Sequence, residues 1–522
     1  MPGGAARTEQ EGIEEQLRCA NPEKGQAGHG IVTRFAHLLS AFFVREVLQA
    51  IFLVYLARKS TTSYGQFMLA ISLGQILLFI SEFGINQHLV SLLVRDGGAG
   101  ALSRVTTLKA GLLGLGGLGI AGFIFWQDYP PVLAAVVLIL GAGVGLEALA
   151  NSFFVSFQVK GRQDLESRVR IVSAVLGFGY GIIAVLLGAA PVTVAFYKLI
   201  ETFSNLGAVI FLAGRQMNVR LHWIKLREVW DTGRESMILT LMAISGILYN
   251  KVNVFFLQHS AGAEGVAQYS ATWQLVDGIS YLVSGLLLRN ILFPLFSGLW
   301  ERDSKEFGRI ARSSASWLLA AALPTMFILF CESDRLIPLI YGPKYTSAIW
   351  TQKILAITVL ISFVHNLAAD IMVSIKKEKL LLAIYIVGLF ANIAFCAVLI
   401  PASPLMGTVL AIVFTKALVG LMTVSYCQRR LRMIPVWPVL QLCLAGGAGL
   451  VLYFPAKVIL PREAAEIMAI APVLILALYW RRNPLYKPAG KAALPFRRND
   501  QGGLDPSSRD TEPERGPLLR DI

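Results

Sequence analysis

Long apolar runs separated by short polar turns dominate the chain between residues 31 and 480. A helix needs about 20 apolar residues to cross the hydrocarbon core of a bilayer, and 14 runs are close to that length or longer. The pattern predicts an all-α polytopic membrane protein with about 14 transmembrane helices. The predicted spans lie at residues 31–56, 64–93, 106–126, 131–157, 170–190, 192–214, 236–258, 266–297, 311–331, 349–374, 380–401, 405–427, 438–460 and 463–480.

A basic polar segment at residues 215–235 separates the first six spans from the next six. We therefore expect an N-terminal lobe at residues 31–214 and a C-terminal lobe at residues 236–427, joined by a cytoplasmic linker at 215–235. Spans 13 and 14, at residues 438–480, lie outside both lobes and form an appendage.

A weak internal repeat supports two equivalent lobes. Residues 52–70 align with residues 254–272 at an offset of 202, so that 64–67 (YGQF) faces 266–269 (VAQY). In both places a span and a short polar loop precede the motif. Because six spans is an even number, both copies enter the membrane in the same orientation, which predicts lobes related by an axis along the membrane normal with the substrate between them.

The charge balance points to the same topology. Of 522 residues 55% are hydrophobic and 15% charged, yet the net charge is +14, and the mean hydropathy of +0.60 excludes an ordinary soluble protein, in which about 25% of residues are charged. With the N-terminus inside, the inner loops hold 21 Lys and Arg residues and the outer loops hold 6, when Arg170, Arg312 and Lys457 at the span ends are counted with their loops. An inner excess of this kind is what cytoplasmic loops require. The basic charge thus reports topology, and no nucleic-acid partner is expected. We expect a multi-pass protein of the cytoplasmic (inner) membrane, with disordered cytoplasmic tails at residues 1–30 and 481–522.

Motifs of enzymes are missing from the sequence. It contains no GxxxxGK[ST], HExxH, GxSxG or DxD motif. Its five cysteines show neither CxxC nor Cys/His spacing, so we expect no metal site and no cofactor. These absences argue against ATP-driven transport and against a metal-dependent glycosyltransferase.

Charged residues within the predicted spans need a separate explanation, because a charge at the centre of a transmembrane helix costs at least about 2.5 kcal/mol. Four of them lie near span ends, where we expect side chains to reach the headgroups: Arg34, Lys109, Lys353 and Asp370. Lys198 and Glu201 are three residues apart and are expected to pair on one helix face. Glu147 and Lys416 are the other charged residues that lie in spans outside spans 1, 2, 7 and 8.

The remaining in-span charges concentrate on spans 1, 2, 7 and 8. They are Arg45, Glu46, Glu82, Lys251, Asp277 and Arg289. Neighbours in a helix point about 100° apart, so Arg45 and Glu46 are not expected to neutralise each other face to face. Two interpretations stay open: a set of interhelical ion pairs, or a polar cavity between the lobes in which basic groups bind phosphate and a buried carboxylate exchanges H⁺ or Na⁺.

Short motifs in both halves resemble the oligosaccharide-lipid flippases (Wzx type) of the polysaccharide transporter family. Their order and spacing over residues 31–430 carry the resemblance. The motifs are 55–67 (YLARKSTTSYGQF), 81–90 (SEFGINQHLV), 251–257 (KVNVFFL), 263–271 (AEGVAQYSA), 293–294 (FP) and 341–345 (YGPKY). The family belongs with the MATE-type multidrug exporters and the lipid II flippases in one superfamily. Two departures are Lys251, where relatives often have an acidic residue, and Ala267, which replaces a glycine.

The resemblance implies a MATE-like fold and an alternating-access flippase, not an enzyme, that moves a polyprenyl-diphosphate-linked oligosaccharide across the cytoplasmic membrane for surface polysaccharide biosynthesis. We expect Arg45, Lys251 and Arg289 to bind the diphosphate, and Glu46, Glu82 or Asp277 to couple transport to an ion. Partners would be the lipid-linked oligosaccharide, membrane lipids, and the polymerase and glycosyltransferases of the pathway. The alternatives are a cation-coupled multidrug exporter, a membrane glycosyltransferase or polymerase, and a scaffold without transport activity.

Overall fold

The computed structural model describes residues 26–82, 85–95, 100–217, 226–283, 288, 292–300 and 302–482, and within these ranges it contains helices and no strand. The helices are α1 Gln26–Lys59, α2 Thr61–Glu82, α3 Ile85–Arg95, α4 Ala101–Trp126, α5 Pro131–Val159, α6 Gln163–Leu186, α7 Pro191–Met217, α8 Leu226–Val283, α9 Phe293–Trp300, α10 Ser304–Cys331, α11 Ser333–Tyr341, α12 Thr346–Leu355, α13 Ile357–Ser374, α14 Glu378–Leu399, α15 Pro404–Leu431, α16 Val436–Ile459 and α17 Arg462–Arg482. The all-α prediction is confirmed.

Within the described residues, 13 helices are long and apolar enough to cross a membrane. One of them, Met237–Ser280 in α8, is 44 residues long, about 66 Å at 1.5 Å per residue and therefore more than one bilayer crossing. Its helical geometry is broken at Gly262, where φ is 63° and ψ is −166°. The predicted spans 7 and 8 lie on either side of this break.

Prolines and glycines set several helix boundaries. Pro131, Pro191 and Pro404 each occupy the first position of a helix, where a missing N–H is not needed and the fixed φ favours the helix. Before Pro191, Gly188 has a φ of 72° and closes α6 through the bond from its N–H to Val185 O, 3.2 Å. The predicted division between spans 5 and 6 at Pro191 is therefore confirmed.

We call α1, α2 and α4–α7 the N-terminal lobe, as in the predicted division, and aromatic packing joins several of these helices. The ring centroids of Phe52 and Tyr197 are 4.5 Å apart, and Phe178 lies 5.4 Å from Tyr197. Gly181 permits this approach, since a Cβ there would lie 2.8 Å from the Phe52 ring. The C-terminal lobe consists of α8, α10 and α13–α15, with the short helices α9, α11 and α12 between them.

The helix pair α16 and α17 packs on the outside of the C-terminal lobe, against α10. Trp480 is fully buried, contacts Trp317 of α10 edge-on at 6.2 Å, and donates from Nε1 to Gln441 Oε1 at 3.0 Å. Arg462 at the start of α17 binds Asp334 of α11 at 2.6 Å and Glu332 at 2.8 Å. The predicted appendage is thus fastened to one lobe.

Candidate functional site

Four charged side chains form a closed network inside the N-terminal lobe. Arg45 of α1 binds Glu147 of α5 at 2.7 Å and Glu201 of α7 at 2.8 Å. Lys198 of α7 binds the other oxygens of the same two carboxylates, at 2.7 Å and 2.8 Å. The predicted Lys198–Glu201 pair is confirmed. Two cations and two anions neutralise one another, so the network joins three helices and carries no net charge. In this lobe the charges therefore form interhelical ion pairs, the first of the two interpretations that the sequence left open.

A second polar chain surrounds Glu82 at the end of α2. Glu82 accepts a hydrogen bond from Asn151 Nδ2, and Asn151 Oδ1 accepts one from Arg170 Nη2 at 3.0 Å. Lys109 is fully buried and donates to Asn86 Oδ1 at 2.7 Å and to the Ala148 carbonyl at 2.9 Å. The prediction that Lys109 reaches the headgroups was wrong, because α4 begins at Ala101, which places Lys109 between helices.

A polar cavity of about 430 Å³ lies in the C-terminal lobe, beside α2 of the other lobe. Its wall combines aromatic and apolar side chains with a few convergent polar groups, the usual composition of a ligand site. The polar groups are Asn250 and Asp277 of α8, Ser280 of α8, Ser362, His365, Asn366 and Asp370 of α13, Tyr385 of α14 and Lys416 of α15.

Lys416 is the basic side chain among the residues that line this cavity. Its Nζ lies 3.2 Å from Asp277 Oδ1 and 3.2 Å from Ser362 Oγ, and 4.5 Å from the centre of the Trp273 ring. The Lys416 side chain is 8% exposed, whereas that of Asp277 is 40% exposed. A buried ammonium therefore meets the cavity next to a carboxylate that water can reach.

Two of the three predicted diphosphate ligands lie among the described residues, and each has different surroundings. Arg45 lies in the network described above, and Lys251 is buried with its Nζ 5.7 Å from the Trp273 ring and does not line the cavity. Arg289 lies outside the described residues. Of the predicted coupling residues, Asp277 lines the cavity, Glu82 is bonded to Asn151, and Glu46 forms no ion pair with another described residue.

The two lobes meet tightly at the end of the molecule that carries α11. The hydroxyl of Thr62 lies 3.4 Å from Glu264 Oε1, and these residues are 202 positions apart, the offset of the predicted repeat. A Cβ on Gly65 would overlap the carbonyl of Ala263, so glycine is required there. Arg58 donates to the last carbonyls of α11. The cavity is therefore closed at this end, the predicted outer side.

Tyrosines reinforce this closure. The Tyr64 ring lies 6.0 Å from that of Tyr341 and 6.2 Å from that of Tyr345, and Tyr345 donates to the Ala57 carbonyl at 3.3 Å. Burial raises the pKa of Tyr341 to about 12, so its hydroxyl stays protonated at neutral pH. The tyrosines thus contribute packing and neutral hydrogen bonds to an interface that also contains the charged side chains of Arg58 and Glu264.

Two groups of membrane-length helices, a polar cavity beside their interface and close contact at one end are the features of a multi-pass membrane protein. Across the part of the chain that the structure describes, no three His, Cys, Asp or Glu side chains are grouped so that they could hold a metal ion. Residues 56–350 match the sequence profile of the family described as polysaccharide biosynthesis protein. The chain belongs to this family, because the match covers more than half of its 522 residues. No curated protein matches the sequence.

Solved structures agree on the fold. A lipid II flippase MurJ in an inward closed conformation superimposes with a TM-score of 0.65 at 12% identity, covering 86% of this chain and 99% of the other. An inward-facing MATE family multidrug resistance transporter gives 0.60 at 14% identity, covering 74% and 94%. A MOP superfamily transporter from Pyrococcus furiosus, described as having a binding pocket of reverse polarity, gives 0.53 at 14% identity, covering 76% and 95%. The predicted MATE-like fold is confirmed.

Sequence analysis noted Lys416 as an in-span charge but did not place it in the site. Its partner Asp277 is 139 residues away, and no spacing rule links residues so far apart. Trp273 was missed as well, although it lies one helical turn before Asp277, where side chains at i and i+4 share a face. That spacing was the available signal.

Proposed function

We propose that this protein is a flippase that moves a polyprenyl-diphosphate-linked oligosaccharide across the cytoplasmic membrane by alternating access. The family description and the likeness of fold to a lipid II flippase support a lipid-linked substrate. The predicted topology puts both termini in the cytoplasm and the closed α11 end outside. The substrate would then enter from the cytoplasmic side.

The observation that carries the proposal is the Lys416–Asp277 pair in the cavity wall. Lys416 lies 12 residues after Pro404 and 15 before Leu431 in α15, or about 18 Å and 22 Å from the two helix ends. Transport sites near the middle of the bilayer are typical of such two-lobed proteins. An ammonium at this depth attracts an anionic group into the cavity.

Asp277 gives the site a way to bind and release its substrate. When the cavity is empty, Asp277 neutralises Lys416 at 3.2 Å. A diphosphate bearing more charge displaces Asp277, and the exposed carboxylate then accepts a cation from water. As the diphosphate leaves, Asp277 returns to Lys416. We therefore propose Asp277, rather than Glu46 or Glu82, as the group that couples transport to H⁺ or Na⁺.

Trp273 holds the basic group in place. The Nζ of Lys416 lies 4.5 Å from the centre of its ring, and the Nζ of Lys251 lies 5.7 Å from it. A desolvated cation over a tryptophan ring is stabilised by about 2 kcal/mol. Lys251, which does not line the cavity, then acts as a second positive charge near the ring without contacting the substrate. The predicted contact of Lys251 with diphosphate is replaced by an electrostatic role.

Binding of a short-chain polyprenyl-diphosphate disaccharide to the purified protein tests the proposal. Lys416→Gln removes a charge-assisted hydrogen bond of about 1.5–3 kcal/mol, so we expect binding to weaken about 10- to 150-fold. Lys353→Gln is the matched control, because Lys353 lies 4.6 Å from the Trp350 ring and does not line the cavity. Equal binding by all three proteins would contradict the proposal.

The rival transport function, a cation-coupled drug exporter, predicts a different substrate charge. An exporter of cationic drugs would use Asp277 to bind its substrate and would be hindered by Lys416. Cells expressing Lys416→Gln would then extrude cationic dye faster than cells with the unchanged protein. On our proposal, dye accumulation is the same with either protein.

A further inference from the structure

A second concave surface, which we call the basic crevice, lies at the end of the C-terminal lobe opposite α11. It has a volume of about 730 Å³. Leu239 and Tyr426 line it, together with the basic side chains of Lys376, Lys377, Lys379 and Arg430. Glu378 is the one carboxylate among its lining residues, so the crevice carries a net charge of +3 from lining side chains.

Three helix ends bring these charges together. Lys376–Lys379 lie at the turn from α13 to α14, and Arg430 lies in the last turn of α15. Leu239 of α8 is near the start of the candidate span Met237–Ser280. The ends of the candidate spans α13, α14 and α15 place the crevice at the level of the lipid headgroups. The positive-inside rule explains the sign of these charges, but it does not require residues from two separate segments to line one concavity.

At the turn between α13 and α14, Lys376 has a left-handed backbone conformation, which glycine adopts more readily than other residues. Lys376 has a φ of 61°, and the bonds from Lys376 N to Val373 O and from Lys377 N to Met372 O, at 3.0 Å and 2.9 Å, form the motif that commonly ends helices with a left-handed glycine. A residue with a side chain is strained in this conformation. Lysine therefore occupies a position whose backbone favours glycine.

The basic crevice adjoins the polar cavity. Leu239 lines both, and Val373 of the cavity wall is three residues before Lys376. Along α15, Arg430 and Lys416 are 14 residues apart, or about 21 Å. A basic group therefore stands at the membrane surface and another near mid-membrane, on one continuous path.

We propose that the basic crevice is an entry site, which binds the diphosphate of the lipid-linked substrate at the membrane surface before it passes to Lys416. This inference rests on the proposed function. The exposed side chains of Lys377, Lys379 and Arg430 supply the charge, and no ion pair joins any of the three to another described residue. Each Lys or Arg near the membrane surface adds to the attraction for anionic headgroups, so several such charges together bind a diphosphate that is diluted among other lipids.

The test compares two triple variants in nanodiscs made of neutral phosphatidylcholine. The entry variant is Lys377→Gln, Lys379→Gln, Arg430→Gln. The control variant, Arg302→Gln, Lys305→Gln, Arg429→Gln, removes the same charge from exposed residues outside the crevice; Arg429 is the direct neighbour of Arg430. The probe is farnesyl diphosphate, measured at increasing salt concentration.

We expect the entry variant to bind the probe at least tenfold more weakly at low salt, with a shallower salt dependence, and the control variant to change binding less than twofold. Entry and control variants that bind equally would overturn the entry site. Adding phosphatidylglycerol separates the two sources of phosphate: if it competes with the probe at equal concentration, the crevice is a general anionic-lipid site and the proposal is wrong.

Lys376→Gly provides a second readout that a purely structural lysine would not give. We expect the variant to melt at a higher temperature, because glycine relieves the left-handed conformation, and yet to bind the probe more weakly. Tighter or unchanged binding would contradict the proposal.

Lys416→Gln distinguishes the entry site from the proposed function. If Lys416→Gln abolishes transport while the entry variant transports normally at limiting substrate, the entry site is wrong and the proposed function stands.

Discussion

Replacing Arg45 separates a structural role of the N-terminal network from a role in substrate binding. Arg45→Gln leaves Glu147 and Glu201 with Lys198 as their cation, so one buried negative charge is no longer compensated. Breaking a buried ion pair by removing one partner costs about 3–5 kcal/mol. The Arg45 side chain is 21% exposed, and water reduces that cost, so we expect the free energy of unfolding to fall by about 2–4 kcal/mol.

The assay is reversible unfolding in mixed detergent micelles, with substrate binding measured on the same samples. Adding Glu201→Gln to Arg45→Gln removes the uncompensated charge, so the double variant should lose less stability than the sum of the two single variants, by about 1 kcal/mol or more. We expect binding by the folded fraction to change less than twofold. Unchanged stability with lost binding would refute the structural role and restore Arg45 as a substrate ligand.

Three further predictions concern the α11 end. A disulfide between Thr62→Cys and Glu264→Cys should lock this end closed and stop transport until a reductant is added; transport by the oxidised protein would contradict the closure. Gly65→Val should force the lobes apart, and spin-label distances across this end should increase; unchanged distances would show that the contact is not required. The Arg462 side chain holds the pKa of Asp334 at about 2, below its ordinary value, so this ion pair supports the helix pair at neutral pH and is lost as pH falls towards 2. Thermal melting should therefore show the effect of Arg462→Gln at pH 7 and lose it near pH 2; an effect independent of pH would exclude the pair as its cause.

Local patterns in the sequence predicted the helices and their nearest partners. The Lys198–Glu201 pair followed from helical spacing, and the break at Pro191 followed from the fixed φ of proline. Apolar run length also predicted the all-α class, since runs of about 20 residues fit a membrane-spanning helix and are about twice the length of a spanning strand.

Long-range partners could not be predicted in this way. Arg45 and Glu201 are 156 residues apart, and a single sequence contains no term that links them. Lys109 was assigned to the membrane surface because its predicted span began five residues too late, at residue 106 rather than at Ala101. The two interpretations of the in-span charges, ion pairs or a cavity, apply to different lobes. In the N-terminal lobe the charges around Arg45 form a closed network, and in the C-terminal lobe Asp277 and Lys416 line a cavity.

Transbilayer movement of a lipid-linked oligosaccharide tests the central claim most directly. Proteoliposomes would carry a fluorescently labelled polyprenyl-diphosphate oligosaccharide in both leaflets, and an impermeant quencher would report the label that reaches the outside. We predict that the unchanged protein exposes nearly all of the label, and that Lys416→Gln exposes only the half seen in protein-free liposomes. Exposure of only half by the unchanged protein, or near-complete exposure by Lys416→Gln, would contradict the account.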